Sequence, residues 1–226
     1  MHSLIGAFFY SVLLLQDAST AIELDDKEHA LALMNPYHAK VVALREENLA
    51  IELARMQQLD QLVRTNFLEI ANDKKMPAAM RSIVLEQANQ TLNSTDALNT
   101  ARLKTILQTF SWKQIAAVRP DAAGNAFLIV QHSGDLEFME NALPNFEQFA
   151  QKGVVNGGAY ALLFDRVAMM NDRPQRYGSQ ARCVGGELVS YEIENREQLD
   201  KRRADFGMQP FDVYIKGLKN TYINSC

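Results

Sequence analysis

The chain has 226 residues, 47% hydrophobic and 22% charged, which is enough apolar material for one sizeable core and excludes wholesale disorder. Its formal net charge of −4 speaks against nucleic acid as a partner, because a phosphate-binding surface needs a basic face. The few basic clusters, Lys74-Lys75 and Lys201-Arg202-Arg203, lie among acids or on charged helical faces.

Residues Leu4 to Leu15 form an apolar run too short to span a bilayer comfortably, and Ser19-Thr20-Ala21 supplies small residues suited to cleavage. Residues 1–21 are therefore read as a signal peptide, although only His2 precedes the run where a basic residue is usual. Export predicts a periplasmic or secreted protein with no stable membrane span after cleavage. If residues 1–21 are instead kept as a helix, the protein stays cytoplasmic. The two cysteines, Cys183 and Cys226, could pair in an exported chain or remain as thiols.

The next stretch reads as all helix, with residues 22–93 as amino-terminal helices and 94–226 as the core that carries the candidate site. A short helix from Asp25 is expected to stop at Asn35-Pro36. From about Tyr37 to Asn72, Val41, Leu44, Leu49, Leu53, Met56, Leu59, Val63, Phe67 and Ile70 recur at helical spacing. Pro77 opens another helix, and Ser94 is read as the cap of a third. Trp112, in a short segment ended by Pro120, is expected to anchor core packing. Ala122 to His132 is a mostly apolar helix that ends in the polar sequence QHSGD, and Asp135 starts the next helix, with Pro144 inside it.

The stretch Ala159 to Gln180 stands out. Its first half is apolar on every side except for Asp165 and Arg166, a pattern that belongs inside a protein. Consecutive helical residues point about 100° apart, so these two cannot satisfy each other and each needs its own partner. Burying either alone costs several kcal/mol, which calls for an open site or for a buried ion network with groups such as Arg203 or Asp60. Beyond it, Gln175-Arg176-Tyr177-Gly178-Ser179-Gln180 concentrates amides, a guanidinium, a phenol and a hydroxyl. Gly185-Gly186 between two short β-like runs signals a hairpin. A charged helix capped by Asn195 and stopped by Gly207, and a last helix from Pro210, complete the chain. The fold class is mainly α, a helical domain with one small antiparallel β-hairpin near the carboxyl terminus.

No P-loop, GxGxxG, HExxH or GxSxG motif is present. The four histidines are scattered without ligand spacing, so neither a metal nor a cofactor is expected. His132, at a helix end near Asp135, suits a general acid or base, or else a helix-capping role.

Taken together, DQLVR (Asp60 to Arg64), LKTILQTFSW (Leu103 to Trp112), IVQHSGD (Ile129 to Asp135), LLFDRV (Leu162 to Val167), PQRYGSQ (Pro174 to Gln180) and DKRRADFGMQPFDVY (Asp200 to Tyr214) resemble DUF6624, a bacterial domain family of unknown function. The resemblance covers roughly residues 50–218. Members read GW at Ser111-Trp112, QHAD where this chain has one residue more between His132 and Asp135, and YGTQ at Tyr177 to Gln180. The family brings no activity with it, but its signature falls on the polar residues singled out above. The expected site then has His132 and Asp165 as catalytic residues, with Asp165 orienting the imidazole or activating water. Gln131, Arg166, Gln175, Arg176, Tyr177 and Gln180 bind substrate. The function expected is a hydrolase or transferase acting on a polar or anionic small molecule, peptide or envelope polymer. The alternatives are a non-enzymatic ligand-binding or interaction module, or a purely structural use of the two charges.

Overall fold

The structure is a computed structural model, and the residues it describes run from 24 to 221. The expected signal peptide lies outside them. By internal contacts the chain divides into two units, residues 1–45 and 46–226, and the buried hydrophobic core from Leu49 to Tyr177 belongs to the second. The described residues form eight α-helices and one antiparallel hairpin: α1 (Leu24–Asn72), α2 (Ala78–Leu107), α3 (Trp112–Val118), α4 (Ala122–His132), α5 (Leu136–Gln151), α6 (Gly157–Met170), β1 (Ala181–Val184), β2 (Glu187–Ser190), α7 (Leu199–Asp205) and α8 (Phe211–Thr221). The architecture is mainly helical with a hairpin near the carboxyl terminus, as the sequence predicts.

Two expected breaks are absent. Helix α1 continues through Pro36, because one lost backbone hydrogen bond is outweighed in a long run of good helix formers. Ser94 does not cap a helix: its hydroxyl donates to the Thr91 carbonyl at 2.9 Å, and α2 runs on unbroken. A Ser hydroxyl can bond back to the preceding turn without ending the helix.

Within the second unit α1 and α2 run antiparallel, with Arg102 on Glu52, Asn99 on the Met56 carbonyl and Arg64 on Asp96. The apolar residues of α1 are buried unevenly along the helix. Leu49, Leu53 and Met56 are inside, whereas Leu44 and Leu59 are about half exposed, at 51% and 52%.

The core gathers around α4, whose Ala126, Phe127, Ile129 and Val130 are buried. Local signals set the helices that pack on it. Ser111 and Gln114 form a reciprocal capping box that starts α3, and the Asp135 carboxylate accepts the Phe138 amide at the start of α5. Trp112 then packs on Phe138 and Phe146, with ring centroids 6.5 and 5.2 Å away, the anchoring expected of it.

Helix α6 buries Tyr160, Ala161, Leu163, Asp165, Val167 and Ala168, so nearly its whole circumference is covered. After it, Tyr177 joins Tyr160, Phe164 and Phe206 in an aromatic cluster with centroids 5.3 to 6.1 Å apart. The hairpin pairs Ala181 with Ser190 through Val184 with Glu187. Its turn is Gly185-Gly186, both at positive φ, the geometry that only glycine enters without strain. Cys183 on β1 is disulfide-bonded. The chain's other cysteine, Cys226, lies outside the described residues.

Candidate functional site

The polar signature folds into two neighbouring arrangements, one around Asp165 and one around His132. Asp165 is 0% exposed. Its Oδ1 accepts the backbone amides of Arg176 and Tyr177 at 2.8 and 3.0 Å, and its Oδ2 accepts that of Ser179 at 2.8 Å. The carboxylate therefore shapes the 176–179 loop. Burial pushes its pKa up, and the three amides pull it back down. Each amide bond to a charged acceptor contributes roughly 1.5–3 kcal/mol.

Gly178 makes this loop possible. Its φ is +66°, and a Cβ there would sit 2.9 Å from the Phe211 ring and 3.0 Å from Ile193. Gln175 is fully buried and ties the loop to the hairpin. Its amide nitrogen donates to the Gln180 and Tyr191 carbonyls, and its Oε1 accepts the Gln180 amide. Tyr177 is buried in the aromatic cluster, and burial raises its phenol pKa. Arg176 alone in this stretch reaches outward, with its side chain 49% exposed and Glu194 3.8 Å away.

Arg166 points the other way along α6. It donates to the backbone carbonyl of Gln131 at 3.1 Å and to Oε1 of Gln180 at 3.3 Å. The end of α4 is thereby tied to the loop that Asp165 holds. Gln131 is 4% exposed, and its side-chain Oε1 has no hydrogen-bond partner among the described residues.

His132 closes α4, and the carboxylate that faces it belongs to Asp60 on α1, not to Asp165 or Asp135. Nδ1 lies 2.8 Å from Asp60 Oδ1, with the imidazole 18% and Asp60 1% exposed. Asp135 instead pairs with Lys104 at 2.5 Å. That pairing, with the Phe138 amide second, lowers its pKa.

Asp60 is braced on its other sides. Arg64 Nη1 stands 2.9 Å from Oδ1, and Gln61 donates to Oδ2 at 2.8 Å. The same Arg64 grips Asp96 on α2 through Nη2, at 2.9 and 2.8 Å from its two oxygens. Burial raises the Asp96 pKa, and Arg64 opposes that rise. Three helices thus converge on one imidazole through a chain of His132, Asp60, Arg64 and Asp96.

A carboxylate can only accept, so Nδ1 of a neutral His132 carries the proton and Nε2 presents its lone pair. Nε2 makes no hydrogen bond to a described residue. This orientation is the one a general base requires. Among the described residues no cluster of three or more His, Cys, Asp or Glu side chains could hold a metal, and no helix is long and apolar enough to cross a membrane.

The sequence pointed to His132 but not to its partner. DQLVR carried the signal: Asp60 and Arg64 are four apart on one helical face, and 72 residues separate Asp60 from His132. The family described as "Family of unknown function (DUF6624)" matches residues 47–225, so the match takes in Asp60, Arg64, Asp96 and His132. No curated protein and no solved structure matches the chain.

Proposed function

The chain belongs to the DUF6624 family, and on that premise we propose that it is an exported hydrolase or transferase with His132 as its general acid or base. Its substrate is a polar or anionic small molecule, peptide or envelope polymer. The observation that carries this reading is the His132–Asp60 pair, 2.8 Å apart, with the carboxylate itself braced by Arg64 and Gln61. An imidazole held in one tautomer by a buried carboxylate needs no reorganisation before it accepts a proton.

The remaining signature residues take supporting parts. Arg166 and Gln180 fix the backbone beside His132, while Gln131 and the outward Arg176 meet the substrate. Asp165, Gln175 and Tyr177 keep the loop in shape. Export is supported by the apolar run at residues 4–15 and by the disulfide on Cys183, a bond characteristic of oxidising compartments. Mass spectrometry of the protein from its native host tests it, because an intact Met1 removes the signal peptide and with it the periplasmic or secreted location.

The catalytic reading is tested by assaying the wild-type chain, His132→Gln and Asp60→Asn against chromogenic esters, phosphoesters, glycosides and peptide amides. Turnover of at least one class is expected, falling about 10²–10⁴-fold in His132→Gln with circular dichroism unchanged. A wild-type protein inert to every class, or a His132→Gln variant at full rate, removes the enzyme. The second reading, a non-enzymatic ligand-binding or interaction module, draws on the saturation of Asp165 by backbone amides. It predicts saturable binding without turnover.

A further inference from the structure

Arg203 lies on α7 and is 1% exposed, the largest of the fully buried side chains. A guanidinium removed from water in this way is ordinarily matched by a carboxylate. Among the described residues none lies within ion-pair distance of it. Nε donates to the Gln209 carbonyl and Nη1 to the Tyr177 carbonyl, each at 2.6 Å. Its central carbon is 4.7 Å from the Tyr214 ring centroid and 6.0 Å from that of Phe211. Carbonyls and rings ease the burial of a cation, and the Asp200 and Asp165 carboxylates act on it only from beyond ion-pair distance. Nη2 donates to no described group.

Arg203 lines a cavity of about 320 Å³, at the small end of the usual range for small-molecule sites, roughly 300–1,000 Å³. Phe127, Leu162 and Met208 give the cavity apolar wall, and Ser179 and Tyr214 border it. Gln209 and the start of the 14-residue helix α6, at Asn156, Gly158 and Ala159, complete the lining. Two of that helix's first amides are already taken, Gly158's by Asn156 Oδ1 and Ala159's by the Asn156 carbonyl, so the guanidinium is the cavity's main positive group.

We propose that this cavity binds a small monocarboxylate with a short apolar chain, its carboxylate on Arg203 and its chain against Phe127, Leu162 and Met208. One guanidinium balances one negative charge, whereas a phosphate dianion would leave a second charge buried against apolar walls. The largely apolar lining suits an alkyl or aryl body better than a sugar, whose many hydroxyls would outnumber the few polar groups at Asn156, Ser179, Gln209 and Tyr214. This inference rests on Arg203 and its cavity alone and stands whether or not the His132–Asp60 reading survives.

The experiment titrates the full chain with hexanoate, hexanol, acetate and inorganic phosphate while backbone amide resonances are followed by NMR. Hexanoate is expected to saturate, moving the amides of Gly158, Ser179 and Gln209. Hexanol, which lacks the charge, and acetate, which lacks the chain, should each bind at least about tenfold more weakly. Leu162→Trp fills the cavity without touching the guanidinium and should abolish hexanoate binding while the amide spectrum stays dispersed. Arg203→Met should do the same. If that variant fails to fold, the hexanol comparison and Leu162→Trp decide alone. Hexanol binding as well as hexanoate, hexanoate binding undiminished in Leu162→Trp, phosphate binding better than hexanoate, or no amide shift at the solubility limit of hexanoate each overturns the proposal.

Discussion

Asp60 and Asp165 are both buried aspartates on long helices, 1% and 0% exposed, yet they hold different kinds of partner. Asp165 spends both oxygens on backbone amides from one loop. Asp60 faces only side chains: an imidazole, a guanidinium and a carboxamide. Backbone amides cannot titrate or swing away, so a carboxylate bound to them fixes chain conformation. An imidazole can act as a proton donor or acceptor, so a carboxylate bound to it can serve chemistry. The charged pair on α6 that drew attention in the sequence is thus read as the foundation of the loop, with the reactive position at the end of α4.

The largest effects are expected from removing each carboxylate in turn. Asp165→Ala leaves three buried amides without an acceptor and should cost about 3–5 kcal/mol, read by urea unfolding. A loss below about 1 kcal/mol would show that the loop does not depend on it. Asp60→Asn should cost less stability, about 1–2 kcal/mol. Its larger consequence is for the imidazole, since the Nδ1–H tautomer is no longer fixed by an obligate acceptor. Nitrogen-resolved NMR of His132 should show Nδ1 protonated in the neutral wild-type ring and a mixed population in Asp60→Asn. An unchanged tautomer would dismiss Asp60 as its orienter.

A smaller effect is expected at Gly178. Gly178→Ala places a methyl group 2.9 Å from the Phe211 ring at a positive φ, which should cost about 1–3 kcal/mol and lower the melting temperature. Because this substitution strains the loop without touching Asp60, the His132 tautomer should not move.

The smallest effect is a pH dependence. Burial raises the Asp165 carboxyl above its unfolded value, so the folded chain keeps a proton that the unfolded chain has already released. Its contribution to stability is full below the unfolded value, near pH 4, and falls as pH rises through the folded value. The stability difference between wild type and Asp165→Asn, followed by urea unfolding across this range, should therefore shift against the wild type as pH rises. A shift in its favour would mean that the three amides outweigh burial.

Much of the fold was legible because it rests on local signals. Helical spacing of apolar residues gave α1 from Tyr37 on, near-continuous apolar runs gave α4 and α6, Asp135 gave the start of α5, and Gly185-Gly186 gave the hairpin turn. Pro36 and Ser94 misled because each is a local breaker or cap whose weight is small against a long run of helix formers. His132, Asp165 and Arg166 could be singled out because a charge or imidazole on an apolar helix is costly and must have a reason. Local residue patterns thus specify most of the helices and mark the polar groups that need partners. Which partner each group received followed from the tertiary structure alone: Asp60 for the imidazole, loop amides for Asp165, and backbone carbonyls with no ion-paired acid among the described residues for Arg203. Residues as far apart as positions 60 and 132 meet through helix packing, and packing depends on the sum of many apolar contacts and not on any spacing along the chain.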